Sequence, residues 1–547
     1  MSRLEVLSQK VPPYSERRAQ IEAEPLPENL GALLDEAAAE APDTVALNFF
    51  EDGETLTYRE LQARVNRLAS GMVARGIGKG SHIGVMIPNI SAFPISWLAI
   101  ARIGAVMIPI NIAYTGRELE YVLETGDADY LLIDESCLPV LAEVPGAPVA
   151  TASDRVFVRG GGSETYRSWD ALADGQPDVP GAFEAVDRDD LLNIQFTSGT
   201  TGFPKGCMLT QDYWLLIGKQ AASRDGRRYL RILASTPFFY MDPQWGFLMA
   251  MYQRGTLFVA RRQSGSRFMK WVREHRIQFG LLPEVVFKQP STPEDGQNEV
   301  IRMNIYGVSR DLHAAIEERF DLVAREAYGM TEIGSGLSVP IEAAEKVGSG
   351  SCGVPAPFRE ARIADPEGNT LPQGEVGELL IRGRSILKGY YNNPEATAAS
   401  FHGEWFRTGD LFQQDDDGYF RIVGRVKDMI RRAGENISAR EVEAVIVALP
   451  EVAEVAALPV KDDTRGEEIK VCITLRDSAR LTKDLLPTVI RHCQDNLAPF
   501  KVPRYYAFPA ELPHTASGKI AKAQLIAASP DLRAGSYDRV TESWVSQ

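Results

Sequence analysis

TSGTTGFPKG, residues 197–206, is the stretch around which the rest of the chain is read. It follows LLNIQF, Leu191–Phe196, a run with the Leu, Ile and Phe of a strand. A glycine- and hydroxyl-rich loop leaving a strand end is a device for holding phosphate, because glycines let successive backbone N–H groups turn inward. Ser198, Thr200 and Thr201 add hydroxyl donors, Lys205 adds positive charge, and Pro204 stiffens the exit. The loop is not a Walker A motif, which needs G-x-x-x-x-G-K-[ST]. Here Lys205 stands between Pro204 and Gly206, which disfavours a kinase or a P-loop ATPase. Taken alone, the stretch also fits a surface turn of small residues.

Working outward toward the N-terminus, helices and strands alternate. A helix is expected over Asn29–Ala41, with Asn29 as its cap and Leu30, Leu33, Leu34 and Ala37 on one face. Val45–Phe50 reads as a strand, Tyr58–Arg75 as an amphipathic helix, and His82–Pro88 as a short buried strand. Phe93–Ile103 is apolar helix, Thr115–Thr125 a further helix, and Asp129–Asp134 another strand. This alternation predicts an α/β fold, a large multi-layer N-terminal domain with parallel-rich sheets. No dinucleotide-type G-x-G-x-x-G follows any of these strands. Residues 160–188, rich in Gly, Pro and Asp, read as a surface linker.

Beyond the loop, strands are expected at Leu230–Thr236 and Gly255–Ala260, a helix at Arg267–His275, and a strand before YGMTE, Tyr328–Glu332. From Gly350 to Gly389 short strands alternate with Gly, Pro and Asp turns, a β-rich subdomain. A division is expected after residue 426: an N-terminal domain 1–426 and a small α+β C-terminal domain 427–547. The latter carries helices Ala439–Leu449 and Leu485–Asn496. Polar Ser529–Gln547 reads as a loosely held tail.

The length, 547 residues, calls for more than one core, and 44% hydrophobic with 24% charged residues is a soluble globular mixture. A formal net charge of -15 argues against nucleic acid or an anionic membrane as a generic partner. The five cysteines, Cys137, Cys207, Cys352, Cys472 and Cys493, show no C-x-x-C spacing, so disulfides and a zinc site are disfavoured. No apolar h-region opens the chain, and the longest apolar run, Phe93–Ile110, is interrupted by Pro94, Arg102 and Pro109. A cytoplasmic protein without stable membrane insertion is the default expectation, and a homodimer stays open.

Several further residues suit the handling of ATP with magnesium. YGMTE offers the Thr331 hydroxyl and the Glu332 carboxylate, and magnesium takes oxygen ligands, one or two carboxylates plus phosphate. In WFRTGD, Asp410 follows a Thr-Gly turn and can accept from both ribose hydroxyls; Arg425 of GRVKD suits the same sugar or a phosphate. Lys519 in LPHTASGKI lies on a small-residue loop of the C-terminal lobe, where a mobile lysine can neutralise developing charge. Each of these residues alone also has an ordinary structural reading.

Six signatures occur in order: TSGTTGFPKG, YGMTE, GELLIRGRSILKGYYNNPEATAASF, EWFRTGD, GRVKDMIRRAGENISAREVE and LPHTASGKI. Together they resemble the adenylate-forming superfamily of acyl-CoA synthetases, adenylation domains and beetle luciferases, over nearly the whole chain. The resemblance implies a small mobile C-terminal domain and two half-reactions. A carboxylate attacks the α-phosphate of MgATP to give acyl-adenylate and pyrophosphate, and a thiol then takes the acyl group with release of AMP. It implies that Thr197, Ser198, Gly199, Thr200, Thr201, Gly202 and Lys205 wrap the β- and γ-phosphates. Thr331 then touches the α-phosphate, with Tyr328 beside the nucleotide; Glu332 holds magnesium, and Asp410 with Arg425 binds the ribose. Lys519 serves the first half-reaction, Lys427 is the hinge, and Gly434 lines the thiol tunnel, where a side chain would block it.

Two departures concern the acid. PFFYMDPQWG, Pro237–Gly246, carries Tyr240 where relatives have histidine, with Asp242 and Gln244 along the expected substrate path. NIYGVSRDL, Asn304–Leu312, carries bulky Tyr306 where relatives have small residues. Both segments are similar to the crotonobetaine/carnitine-CoA ligase branch, in which Asp242 would suit a trimethylammonium group with Trp245 or Tyr240 as a cation–π partner. A long apolar acid is disfavoured. The expectation is an ATP-dependent acid–CoA ligase for a small or medium carboxylic acid, with ATP, magnesium and coenzyme A. A stand-alone adenylation enzyme loading a separate carrier protein, or a non-catalytic nucleotide sensor, are the alternatives.

Overall fold

The first long helices start where side chains satisfy their free N–H groups. Asn29 accepts from the Ala32 amide ahead of the helix Leu30–Glu40. Thr57 and Glu60 form a capping box on Tyr58–Val73, and Thr115 and Glu118 another on Gly116–Thr125. Such caps stabilise a helix by about 1 kcal/mol each. The computed structural model describes residues 2–161, 164–197, 204–308, 310–432, 435–462, 464–476, 485–514 and 519–546. They fall into two compact units, one of residues up to 197 with 204–361 and 381–406, the other of 362–380 with 407 onward. These are drawn at other points than the 426/427 division expected from the sequence.

In the first unit, β1 (Val45–Phe49) and β2 (Glu54–Thr57) form an antiparallel hairpin. A seven-stranded sheet follows, built of β3 (His82–Met86), β4 (Val106–Pro109), β5 (Tyr130–Asp134), β6 (Val156–Arg159), β7 (Arg167–Ser168), β8 (Leu191–Thr197) and β9 (Lys205–Thr210). Its order is β7-β6-β5-β3-β4-β8-β9, parallel up to β8. β8 and β9 pair antiparallel with Thr197 opposite Lys205, so the glycine-rich stretch spans a hairpin whose return strand the sequence reading did not anticipate. The expected linker 160–188 also contains β7 and the helix Asp170–Ala173, with Leu172 fully buried. The Gly and Pro content there marks turns around short elements rather than an unstructured link.

The second run comprises β10 (Arg231–Ala234), β11 (Thr256–Val259), β12 (Phe279–Leu281), β13 (Arg302–Ile305), β14 (Ala324–Met330), β15 (Gly334–Ser338) and β16 (Ser351–Pro355). Together with β1 and β2 they lie in the order β2-β1-β11-β10-β12-β13-β14-β15-β16. Pairing is parallel from β1 through β14. β14 runs through Tyr328 and Gly329, which pair antiparallel with β15. The strand thus takes in the first residues of YGMTE and delivers Thr331 and Glu332 at its end.

The helices Ala92–Arg102, Gln211–Ser223 and Met241–Gln253 pack into this unit, the first with every residue buried. Trp97 and Trp214 meet edge to face with ring centroids 5.2 Å apart, a geometry that adds to their area burial. Among the described residues no helix is long and apolar enough to cross a membrane.

In the second unit a hairpin of Val452–Asp462 and Gly466–Leu475 pairs in parallel with Tyr505–Ala507. The helices Ala439–Val447 and Leu485–Asn496 close a core of Val442, Ile446, Ile469, Val471, Val489 and Tyr506. The tail departs from expectation. Tyr537–Asp538 pairs with Tyr505 and Tyr506, Ser543–Trp544 adds a further strand, and buried Asp538 takes the Arg504 guanidinium at 3.0 Å. Its polar composition supplies sheet partners and a half-buried ion pair, so the segments 537–538 and 543–544 are held rather than loose.

Candidate active site

The stem of the phosphate loop is closed by the Thr197 hydroxyl, which donates to the Lys205 carbonyl at 3.4 Å. Ser198, Gly199, Thr200, Thr201 and Gly202 lie outside the described residues. Lys205 begins β9, and its ammonium sits 3.9 Å from the centroid of the Tyr390 ring. Tyr390 reaches it because residues 388–391 run alongside β9. Met208 N–H donates to Gly389 O at 3.0 Å, and Tyr391 N–H to Gly206 O at 2.8 Å.

The Thr331–Ile333 turn is pinned at three successive carbonyls by three different segments. The Tyr213 hydroxyl donates to Thr331 O at 2.9 Å, Leu387 N–H to Glu332 O at 2.8 Å, and Arg359 Nε to Ile333 O at 3.0 Å. Each such bond contributes about 1 kcal/mol net, and together they leave the turn no freedom to swing. The Glu332 side chain is held as well, its Oε1 accepting from the Tyr390 hydroxyl at 2.9 Å. Arg359 is fully buried, and burial pushes its guanidinium down to about 10 against the pull of Tyr213 and Asp212. Asp212 in turn takes Arg384 Nε at 2.8 Å. Tyr328 stays half-buried in β14.

The carboxylate of Glu332 suits magnesium. Among the described residues no three His, Cys, Asp or Glu side chains converge as a metal cage. A metal here would draw its other ligands from phosphate and water, which is how magnesium is ordinarily bound.

Tyr240, Asp242 and Tyr306 follow β10 and β13 at the carboxyl ends of the parallel strands, the edge at which open α/β sheets hold ligands. A ladder of buried amides fixes the Tyr240 turn. Asn89 donates to Thr236 O and accepts from the Phe238 amide, and Gln195 donates to Phe239 O at 2.9 Å. Gln244 donates to Phe238 O at 2.8 Å while accepting from Asn193. Gln244 is therefore a buried strut that supports the expected substrate path; its amide is consumed by backbone that would otherwise be unsatisfied.

Asp242 accepts from Trp245 Nε1 at 3.1 Å, and burial pushes its carboxyl up from the ordinary 3.8, with the Trp245 bond opposing. Tyr306 is 48% exposed. The surrounding protein, with the Asp242 charge, pushes its phenol up to about 12. Beneath it, Asn304 Oδ1 accepts from Arg224 Nη2 at 3.0 Å and Arg302 Nε at 2.9 Å. That fixes the amide so that Nδ2 faces the Tyr306 oxygen at 3.4 Å, and the phenol proton can serve as a donor elsewhere. Arg302, without exposed surface, is paired with Asp225 at 2.8 Å.

In the second unit Asp410 lies opposite Arg425 in an antiparallel pair, with Nε 3.0 Å from the nearly buried Oδ1. Lys519 belongs to the same neighbourhood. Desolvation, then the Arg425 charge, lowers its ammonium below the ordinary 10.5, and Asp410 pulls it back up. Lys427 lies in the turn Val426–Asp428; its side chain, and Gly434, lie outside what is described. The structure thus brings Lys205, Thr331 and Glu332 together in one unit and Asp410, Arg425 and Lys519 in the other.

Tyr390, Tyr213, Arg359 and the amide ladder went unread in the sequence. The one available signal was Asn193 and Gln195, two amides on a strand otherwise made of Leu, Ile and Phe.

Residues 34–391 match the family described as AMP-binding enzyme, and residues 441–519 its C-terminal domain. The crotonobetaine/carnitine–CoA ligase of Salmonella typhi is 31% identical over 522 residues, covering 91% of this chain and 99% of that protein. The ATP-bound structure of MatB from Rhodopseudomonas palustris superposes with a TM-score of 0.81 at 26% identity, over 91% of this chain and 98% of that one. The anthranilate CoA ligase AuaEII in complex with anthranoyl-AMP, at 24% identity, shares the fold with a TM-score of 0.82 over 93% and 98% of the two chains. The protein belongs to the AMP-binding enzymes and is an AMP-forming acyl-CoA synthetase that uses ATP and coenzyme A.

Proposed function

We propose that the acid activated here is small or medium in size, and that the candidate residues divide the work as follows. Thr197 and Lys205, with Ser198, Gly199, Thr200, Thr201 and Gly202 between them, cradle the β- and γ-phosphates. Thr331 contacts the α-phosphate with Tyr328 beside the nucleotide, and Glu332 would hold magnesium, which would supply positive charge to neutralise the phosphates. Asp410 and Arg425 take the ribose. Lys519 neutralises charge that builds between acid and α-phosphate, and rotation of residues 427–547 about Lys427 then withdraws it so that a thiol can enter past Gly434.

The observation that carries this reading is the convergence at one sheet edge. Thr331 and Glu332 leave β14, and Tyr240, Asp242 and Tyr306 leave β10 and β13, all at carboxyl ends of parallel strands. A nucleotide-facing turn and an acid-facing cleft on one edge are what the attack of a carboxylate on a phosphate requires.

A second, narrower reading concerns the acid itself. A desolvated carboxylate such as Asp242, with its pKa pushed up from the ordinary 3.8, gains from a cation placed beside it, and the aromatic side chains Tyr240 and Trp245 stand two and three residues away in sequence, Trp245 donating its Nε1–H to the carboxylate. This favours an acid bearing a quaternary ammonium group, which agrees with the name of the Salmonella relative, a crotonobetaine/carnitine–CoA ligase. The test is AMP release with ATP, magnesium and a panel of short aliphatic, aryl, dicarboxylic and quaternary-ammonium acids, with and without coenzyme A. Release dependent on coenzyme A with one class names the substrate. Pyrophosphate release indifferent to coenzyme A would replace it by a carrier-protein thiol, and silence of every small acid would reject the size assignment.

A further inference from the structure

We infer that Tyr390 is a positioning residue that serves both halves of the triphosphate site at once, its ring holding Lys205 and its hydroxyl holding Glu332. The inference rests on the reading of Lys205 as a phosphate contact and of Glu332 as the magnesium ligand.

Tyr390 is 4% exposed. The Lys205 ammonium stands over its face at 3.9 Å, and its hydroxyl donates to Glu332 Oε1 at 2.9 Å. The side chain is set by backbone on both sides. Lys388 N–H donates to Met208 O and Met208 N–H to Gly389 O, Tyr391 N–H reaches Gly206 O, and Leu387 N–H reaches Glu332 O. Tyr390 N–H itself donates to the Thr397 hydroxyl at 2.9 Å. One short segment, 387–391, is therefore laced to the lysine strand and to the Glu332 turn, and Tyr390 puts a different part of one side chain against each.

The chemistry of each contact suits a site awaiting phosphate and metal. A ring face attracts an ammonium through its quadrupole without consuming an N–H donor, so Lys205 keeps its donors for phosphate oxygens. A carboxylate that accepts from a phenol is fixed in orientation yet stays an anion with further lone pairs for a cation. A plain packing role would be met by Phe, which keeps the lysine contact and drops the hydroxyl. The two functions are therefore separable by substitution.

The experiment compares Tyr390→Phe, Tyr390→Leu and Glu332→Gln with the full-length parent. Two quantities are read: the magnesium concentration giving half-maximal acid-dependent ATP–pyrophosphate exchange, and the calorimetric affinity for α,β-methylene-ATP with and without magnesium. Thermal midpoints report folding. Tyr390→Phe should raise the magnesium requirement roughly tenfold and leave metal-free nucleotide affinity within about twofold, since a hydrogen bond to a charged group is lost and the ring is not. Tyr390→Leu should show the same magnesium shift and also weaken metal-free nucleotide binding, by roughly three- to tenfold. A residue that only fills space would change both affinities in parallel in the two variants, and that result overturns the inference. An unchanged magnesium response in Tyr390→Phe while Glu332→Gln shifts it overturns the inference alone. An unchanged response in Glu332→Gln removes the metal assignment and the inference with it.

Discussion

Asp225→Ala should destabilise the larger unit and loosen the acid cleft without touching the nucleotide. Asp225 and Arg302 are 1% and 0% exposed and lie 2.8 Å apart. Burial, with the neighbouring Arg224 and Arg325 charges, brings Arg302 down to about 10 even against the pull of Asp225. Removing one partner of such a pair strands the other charge, a change that costs about 3–5 kcal/mol in buried settings. Tyr229, which donates to Asp225 at 2.8 Å, loses its acceptor within the same figure. With an unfolding entropy of about 2.1 cal/mol/K per residue, a unit of about 400 residues should melt roughly 4–6 °C lower. Calorimetry at several scan rates would separate an equilibrium shift from faster irreversible unfolding.

The functional consequence travels through Asn304, whose amide is oriented by the Arg224 and Arg302 donors and supports Tyr306. The KM for the acid should therefore rise while the KM for ATP stays put. The effect has a definite pH sense. Burial raises the Asp225 pKa, but Arg302 and Arg224 outweigh it and hold the carboxyl below its ordinary 3.8. Its stabilisation is thus complete above that value and is lost as pH falls through the lower folded value, so parent and variant should differ by a constant amount between about pH 5 and 8. A fall in Tm below 1 °C, or equal changes in both KM values, would refute the assignment of Asp225 as the charge that makes this buried arginine tolerable.

Lys519→Ala should leave the melting curve in place and reduce adenylate formation by about 10²–10³-fold, measured as pyrophosphate exchange; parent-level exchange would exclude Lys519 from the first half-reaction. Because its folded pKa lies below 10.5 and the charged form is the working one, the alkaline limb of that reaction should fall below 10.5. Arg425→Gln should move the limb up and Asp410→Asn should move it down, so a limb unmoved by both would refute the electrostatic coupling. Gly353 has φ +103°, and a Cβ there would stand 2.0 Å from the Ser338 carbonyl carbon, across the pairing of β15 and β16. Gly353→Ala should cost about 3 kcal/mol or more, against about 1 kcal/mol for Gly53→Ala, which has φ +69° and open space; similar melting points for the two would contradict the close approach.

What could be read in the sequence was what local chemistry decides. Asn29 announces its helix because a cap needs only the next three residues, whereas the capping roles of Thr57 and Thr115 came only with the structure. The buried strands at 82–86 and 130–134 are short apolar runs, and the phosphate loop declares itself by glycine, hydroxyl and lysine within ten residues. The tail was misread because two-residue strands carry no periodicity. Tyr537 and Asp538 gain their structure from Tyr505, Tyr506 and Arg504, more than thirty residues away.

The same distinction explains which parts of the site stayed hidden. Thr331 and Glu332 are visible as chemistry, but the groups that aim them come from Tyr213, Arg359, Leu387 and Tyr390, and Tyr390 lies 58 residues from the carboxylate it holds. A tyrosine or arginine in those places looks like core or surface until the fold brings it to a carbonyl. Asn193 and Gln195 were also passed over, though an amide on a buried strand has to be satisfied and so asks for a partner before the partner is known. Groups that touch ligand are constrained by reaction chemistry and recur as short motifs. Groups that hold them are constrained only by where backbone donors and acceptors fall, and any segment able to reach can supply them. In this chain the segment 387–391 reaches both Lys205 and Glu332, which is why the positioning of two charges separated by more than a hundred residues in sequence converges on one phenol.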